Sequence, residues 1–558
     1  MRRQLLLWAA IASLLVAAAP VPARPAPVRF AWFSYEGHDA TSARPRPGEY
    51  ANPILPGFYP DPSVIRVGAD YYLVNSTFSY FPGLPVFHSR DLVHWTQIAN
   101  AIDRPGQIDL TARKLSEGLF APSLHHANGR FYIVNTCVEC GGTFVLTARD
   151  PAGPWSDPVW VRDVGGIDPS LFTDADGSTW LVNNDAPVEA PRYDGHRAIW
   201  IRRFDLATLK TRGPARMIVD GGIDLAARPV WVEGPHLFRH DGRYYLIAAE
   251  GGTSERHSET VYRADRPDGP FTPFPHAILT QRDLPAGRAD PITSAGHAQF
   301  VDTPVGDWWA VFLATRPYTG DLYNTGRETF LRRVTWRDGW PIVTDPGEVI
   351  PYAARRPALP ATPSGSFPLA GNFTLRDAFA RPTLARYWLM VRTPKTRWWH
   401  AGAGGLALDA RAEPIGGLGQ PSFVARRQQH LDATASTEVR ADLDRVGAKA
   451  GLVAYQNEAH YYFVGLVNDG GRRLVRVERR SGKGDPVDGV VLASRALPVA
   501  AAPVRLRIVA RGGLYAFDYA VGGGGWTRLL NGADGTILST AKGGGFVGTT
   551  IGMYAYAP

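Results

Sequence analysis

The 558-residue chain is short of several things, and each shortage removes a class of function. Cysteine occurs twice, as CVEC at Cys137 and Cys140. A zinc site would need two further ligands nearby, and a redox pair usually opens a helix, so the readings left are a small local disulfide in a hairpin loop or two free thiols. Lysine occurs six times, so the formal charge of +8 rests mainly on scattered arginine. The densest basic group, Arg472, Arg473, Arg476, Arg479 and Arg480, lies in an alternating β pattern and predicts a solvated strand face rather than a nucleic-acid groove. Long apolar runs are missing beyond the first two dozen residues, and no convincing amphipathic helix interrupts the C-terminal third. Metal-ligand spacings of the HxH or DxDxDG type are also lacking. DADGS at Asp174–Ser178 starts like a calcium loop but lacks the later Glu, and predicts a hairpin turn.

The start, MRRQLLLWAAIASLLVAAAPVPARPAP, joins two arginines, a short apolar stretch and small residues at Val21 and Ala23. This pattern predicts a signal peptide over 1–23, and export to the periplasm or the exterior. Loss of Arg2 and Arg3 would bring the charge from +8 to +6.

From there the chain repeats itself. DPSVIRVGADYYLV from Asp61, APSLHHANGRFYIV from Ala121, DPSLFTDADGSTWLV from Asp168, GPHLFRHDGRYYLI from Gly234 and GHAQFVDTPVGDWWAV from Gly296 each run from a small or proline-containing start through an apolar strand and a polar turn into an aromatic pair. Each is a β-hairpin, and the starts lie about 47 to 66 residues apart, enough for four strands and their loops. Five copies predict a five-bladed β-propeller over 50–352. A Pro-, Ala- and Gly-rich stretch over 353–371 predicts a linker. Beyond it, short alternating segments such as AGLVAYQ, HYYFVGLV, VRLRIVA and LYAFDYAV predict a β-sandwich over 372–558. The fold class is therefore all-β.

Innermost propeller strands begin near the central axis, so Asp61, Asp168 and Glu233, at or beside three repeat starts, should converge. An Asp before Pro is often only a turn residue that caps backbone N–H groups. For three acids at equivalent starts, capping is a poor joint explanation. Hydrolysis of a glycosidic bond uses one protonated and one ionised carboxyl, and a third carboxylate nearby raises the donor's pKa and orients it.

The motifs NPILPGFYPDPSVIRVGADYYLVNSTFSYFPGLPVFHSRDLVHW, GGIDPSLF, EGPHLFRHDGRYYLIAAEGGT, GHAQFVDTPVGDWWAVFLATRP and GRETFL, followed by PSFVARRQQH, AGLVAYQNEAHYY and GGGFVGTTIGMYA, resemble glycoside hydrolase family 43, in the β-xylosidase branch with a C-terminal concanavalin A-like (jelly-roll) sandwich. The resemblance implies an inverting enzyme that needs no cofactor for its chemistry and removes terminal xylose from xylo-oligosaccharides. Asp61 would be the general base, Glu233 the general acid and Asp168 the group that tunes Glu233. Arg327 in GRET would bind the sugar and Phe78 would form an aromatic wall. Phe546 in GGGFVG would reach from the sandwich to the pocket, and His297 would stand on the axis, helping to hold a calcium ion or ordered water. Where many relatives carry LWAPH, this chain has Leu119, Phe120, Ala121, Pro122 and Ser123, so the pocket wall at Phe120 is altered. The family pattern usually extends beyond MYAYAP, and the last sandwich strand is expected to be missing or replaced.

Three other readings compete. An α-L-arabinofuranosidase presents a similar sugar to the same fold. A retaining β-fructosidase would have an Asn before the first Asp-Pro and a Cys after the acid, where this chain has Tyr59, Pro60 and Gly234. A carbohydrate-binding protein would use the acids only to hold hydroxyls.

Overall fold

The computed structural model describes residues 27–39, 45–285, 287–362, 365, 367–498 and 502–558; the expected leader lies outside them. Five antiparallel meanders follow one another. Their innermost strands are Ser63–Val67, Ser123–Ala127, Ile167–Thr173, Glu233–His240 and Thr293–Asp302, and they head blades I to V. A glycine closes each inner hairpin. Gly68, Gly129, Gly177, Gly242 and Gly306 all have φ between +65° and +87°, the left-handed backbone that these turns demand. DADGS is one of these turns, lying between Ile167–Thr173 and Thr179–Asp185.

The innermost strands touch in the order I, II, III, IV, V and back to I, which closes a ring. Polar groups cross every seam. Leu124 N donates to Ser63 Oγ at 2.8 Å, His125 Nε2 meets Thr173 Oγ1 at 2.9 Å, and Ser170 Oγ donates to Pro235 O at 2.5 Å. Ala298 N donates to Glu259 Oε2 at 2.8 Å, and Ser63 Oγ to Gln299 Oε1 at 2.6 Å. The two ends of the ring are tied by a ribbon in which Glu49–Ala51 pairs with Ala353–Arg355. Three residues of the expected linker thus belong to the propeller's closure.

The second domain packs an eight-stranded sheet on a six-stranded one. Its composition corrects the expected boundary, because strand Val28–Gly37, which precedes the propeller in sequence, lies inside the eight-stranded sheet between Gly405–Leu408 and Asp432–Arg440. Val28, Phe30, Phe33 and Tyr35 point into the core with Leu452, Val464, Ile508 and Phe517. Burying four such side chains stabilises the domain by roughly 6–12 kcal/mol, an upper bound. In the other sheet Thr550–Tyr556 sits between Ser422–Arg427 and Lys449–Asn457, so the last described strand is an interior one. The arginine-rich strand is only partly solvated: Arg480 is buried and donates to the carbonyls of Gly416 at 2.9 Å and Glu458 at 2.7 Å.

The domains are joined through backbone. Tyr80–Phe81 of blade I pairs with Met390–Val391, and Arg427 Nε and Gln429 Nε2 donate to the carbonyls of Phe58 and Pro56 at 2.7 and 3.1 Å. Cys137, near the end of the second strand of blade II, Arg130–Val138, forms a disulfide with Cys140 in the turn that follows. Among the described residues no helix is long and apolar enough to cross a membrane.

Candidate active site

Strand register shows why particular side chains reach the axis. The first regularly paired residues of the inner strands are Ser63, Ser123, Ser170, His236 and Gln299. Two positions earlier stand Asp61, Ala121, Asp168, Gly234 and His297. The fifth repeat therefore starts at His297, one residue later than the sequence phrase suggests. Four of these five residues are left-handed, with φ of 51°, 55°, 58° and 51° at Asp61, Asp168, Gly234 and His297. In blades III, IV and V the ladder slips at this point, which turns the chain end toward the axis. A non-glycine residue in this region costs on the order of 1–3 kcal/mol. Blade IV avoids that cost with glycine and carries its acid one residue earlier, at Glu233. Gly234 has a second reason to lack a side chain, since a Cβ there would stand 2.8 Å from His297 Nε2.

A cavity of about 360 Å³ opens at this end of the ring, lined by Asp61, Asp168, Glu233, His297, Arg327, Phe78, Phe120, Phe546, Trp231 and a few smaller side chains. Such a volume lies near the low end for ligand pockets, about 300–1,000 Å³. The three acids are all less than a tenth exposed, at 4, 5 and 8% for Asp61, Asp168 and Glu233. Their partners differ. Asp61 takes a two-pronged guanidinium contact, Arg327 Nη1 to Oδ1 at 2.9 Å and Nη2 to Oδ2 at 3.4 Å, and accepts from Ser76 Oγ at 2.5 Å. Asp168 accepts from the backbone N–H of Gly234 at 3.0 Å, a link to the residue following Glu233. The Glu233 carboxyl makes no hydrogen bond among the described residues. Burial, then repulsion from Asp168 and Asp61, pushes its pKa well above the usual range, and burial raises Asp168 to about 6.

Aromatic rings form one wall. Phe78, Phe120 and Phe546 sit 5.4–5.6 Å apart in a triangle, and the Arg327 guanidinium lies 5.8 Å from the Phe78 ring and 5.4 Å from the Phe546 ring. Phe78 is fixed by exchanging backbone hydrogen bonds with Leu119 at 2.9 and 3.0 Å. Phe546 belongs to the sandwich. Its N–H donates to Ser116 Oγ at 2.9 Å, while Thr549 N donates to Asn324 O at 2.8 Å, which clamps the glycine-rich loop onto the propeller. Gly326 and Gly548 meet so closely there that a Cβ on Gly326 would lie 2.8 Å from the Gly548 backbone.

All the residues singled out from sequence line this cavity, including His297, whose Nδ1 stands 3.8 Å from Asp61 Oδ1. Calcium takes six to eight oxygen ligands. Here Asp61 is engaged by a guanidinium, and among the described residues no three His, Cys, Asp or Glu side chains group as metal ligands. The donors do not fit a calcium ion held directly by protein. Sequence reading missed Ser76 and Trp231. Ser76 lies 15 residues after Asp61, within the same opening motif, but a serine there carries no local signal that it meets the acid. Trp231 was visible in PVWVEG, two residues before the acid, but there it reads as part of an apolar run.

Comparison with known proteins agrees with this architecture. The family model described as Glycosyl hydrolases family 43 matches residues 50–341, and that of the Beta xylosidase C-terminal Concanavalin A-like domain matches 376–558. A xylosidase/arabinosidase of Butyrivibrio fibrisolvens is 35% identical over 90% of this chain and 95% of its own length. A non-reducing end α-L-arabinofuranosidase of Bacteroides ovatus is 36% identical over 91% of each. The crystal structure of a GH43_12 protein retrieved from a capybara gut metagenome superposes with a TM-score of 0.89 at 36% identity, covering 96% of this chain and all of that one. The chain belongs to glycoside hydrolase family 43, as a glycosidase built from a five-bladed β-propeller and a concanavalin A-like β-sandwich.

Proposed function

We propose that this glycosidase is an inverting, exo-acting β-xylosidase that releases xylose from the non-reducing end of xylo-oligosaccharides. The observation that carries the roles is the contrast between two buried carboxyls facing one cavity. Glu233 is held protonated by burial and neighbouring acids, whereas Asp61 is aimed by Arg327 and Ser76. In this mechanism Asp61 takes a proton from water as the water oxygen bonds to the anomeric carbon. The glycosidic C–O bond breaks on the opposite side, and Glu233 gives its proton to the departing oxygen. Asp168 keeps Glu233 protonated and, through the Gly234 N–H, fixes the backbone beside it. Phe546 supports exo action, because the sandwich loop walls one side of the cavity and blocks a chain from passing through.

Proton NMR during turnover of a β-xyloside checks the stereochemistry: α-xylose should appear first, and β-xylose first would overturn inversion. Export supports the same picture, since the leader-like start and the Cys137–Cys140 disulfide both suit an oxidising compartment where plant polysaccharide is met.

An α-L-arabinofuranosidase is the second reading. It is favoured by the Bacteroides ovatus relative and by Phe120, which alters the wall that would meet the sugar. The ratio of kcat/KM on nitrophenyl β-xyloside to that on nitrophenyl α-L-arabinofuranoside separates the two. No turnover of either would leave only a binding role.

A further inference from the structure

The cavity is lined by Glu233 and also by Trp231, two residues before it in the chain. Arg197 links the two, since its guanidinium lies over the Trp231 ring and its charge acts on Glu233. Trp231 is half-buried and left-handed, with φ 54°. For a bulky residue that is a strained conformation, held only where its surroundings impose it. They do so here. Trp231 N donates to Gly195 O at 2.8 Å, Tyr193 OH donates to Pro229 O at 2.8 Å, and Tyr193 stacks on His196 with centroids 4.9 Å apart. His196 in turn meets Asp220 at 2.8 Å. The loop between the second and third strands of blade III is thus pinned to the segment that leads into Glu233. On that loop Arg197 lays its guanidinium on the indole at 4.1 Å, and its side chain forms no hydrogen bond or ion pair among the described residues.

We propose that Trp231, backed by Arg197, is the binding platform for the leaving group, and that the group it takes is a pyranose ring with hydroxyls at its edge. The argument rests on the proposed role of Glu233. A general acid must face the departing oxygen, so an aromatic surface that lines the same cavity and shares the neighbour Arg197 with that acid meets the sugar beyond the scissile bond. An indole offers an apolar face to the C–H side of a pyranose, and the guanidinium on its other face offers unused N–H donors to hydroxyls at the rim. Arg197 also lies close enough to Glu233 to favour its charged form, the state left after the proton has gone.

The test compares leaving groups. With wild-type protein, turnover of nitrophenyl β-xyloside first establishes the glycosidase itself, so failure there is failure of the proposed function and not of the platform. Trp231→Ala should then lower kcat/KM on xylobiose about tenfold more than on β-xylosyl fluoride, whose leaving group is too small to reach the platform. Trp231→Phe should recover most of the difference. Arg197→Gln should raise KM for xylobiose and move the alkaline limb of the pH profile upward, because removing the cation makes Glu233 harder to ionise. Equal losses on xylobiose and the fluoride, in a variant with an unchanged melting temperature, would overturn the proposal. If Trp231→Ala does not fold, equal losses on the two substrates in Trp231→Leu, which also lacks the ring, and an unmoved pH limb in Arg197→Gln would do the same.

Discussion

Two places in this molecule bury charge, and they differ in how fully they pair it. At the seam between the domains, Arg316 donates to Glu328 at 2.6 and 2.8 Å, to Asp39 at 2.6 Å and to the Gln429 carbonyl at 3.2 Å. Burial opposes all three charges; the pairing overcomes it enough to hold Asp39 below the usual carboxylate range and Arg316 well above its own, while at Glu328 burial still wins and raises the carboxyl despite the Arg316 contact. At the propeller axis three carboxyls share Arg327, and two of them are pushed up. The seam spends its charges on each other, while the axis leaves its charges for a substrate. One motif feeds both, since Arg327 points to the axis and the next residue, Glu328, points to the seam.

Substitutions can break this contrast. The largest effect should come from Asp61→Asn and Glu233→Gln, each lowering kcat on xylo-oligosaccharides by about 10²–10⁴-fold. Activated nitrophenyl xylosides need little protonation, so Glu233→Gln should be much less harmful on them; equal losses on both substrates would remove it as proton donor. Next, Arg316→Met takes the cation from two buried carboxylates and should cost about 3–5 kcal/mol of stability, read as a large fall in melting temperature. If Arg316→Met melts like wild type, the seam is not the structural charge cluster described. A smaller effect is expected from Phe546→Ala, which should raise KM for xylobiose about tenfold with little change in melting, because one aromatic contact is lost beside a well-clamped loop.

The smallest effects concern pH. Asp168→Asn removes a negative neighbour that raises Glu233, so the alkaline limb of the activity profile should move to lower pH, and an unmoved limb would make Asp168 a turn residue only. The same shift has a stability counterpart. A carboxyl raised in the folded state keeps its proton while the unfolded one has lost it, so stability falls as pH rises from the unfolded pKa of 4.5 toward the folded value. Glu233→Gln should therefore melt higher than wild type at pH 7, with the gap closing near pH 4; a lower melting temperature at pH 7 would contradict the burial cost at the axis.

The contrast also marks how far sequence reading reaches. The blades were legible because each repeat writes its own hairpin locally, with a glycine at the turn and aromatics on the second strand. The acids were legible because repetition places equivalent residues at equivalent depths. What was hidden depends on contacts between distant segments. Asp39 and Arg316 lie 277 positions apart, and nothing near either predicts the other. Trp231 sits in an apolar run, and only its left-handed backbone and the Arg197 stack distinguish it from a core residue. Val28–Gly37 drew no reading from the sequence, since its partners Phe373–Asp377, Gly405–Leu408 and Asp432–Arg440 begin more than 300 residues later.

That last separation sets a clock. The first described strand leaves the ribosome before any of the propeller, yet the nearest of its sheet partners, Phe373, follows Gly37 by 336 residues. At about 5–20 residues per second, synthesis of the intervening chain takes roughly 17–70 s. Through that interval Val28, Phe30, Phe33 and Tyr35 have no sheet to join, and the ring can close before they do. The first described strand must therefore wait for the last third of the chain before it can pair, whereas each propeller blade holds all its strands within one stretch of sequence.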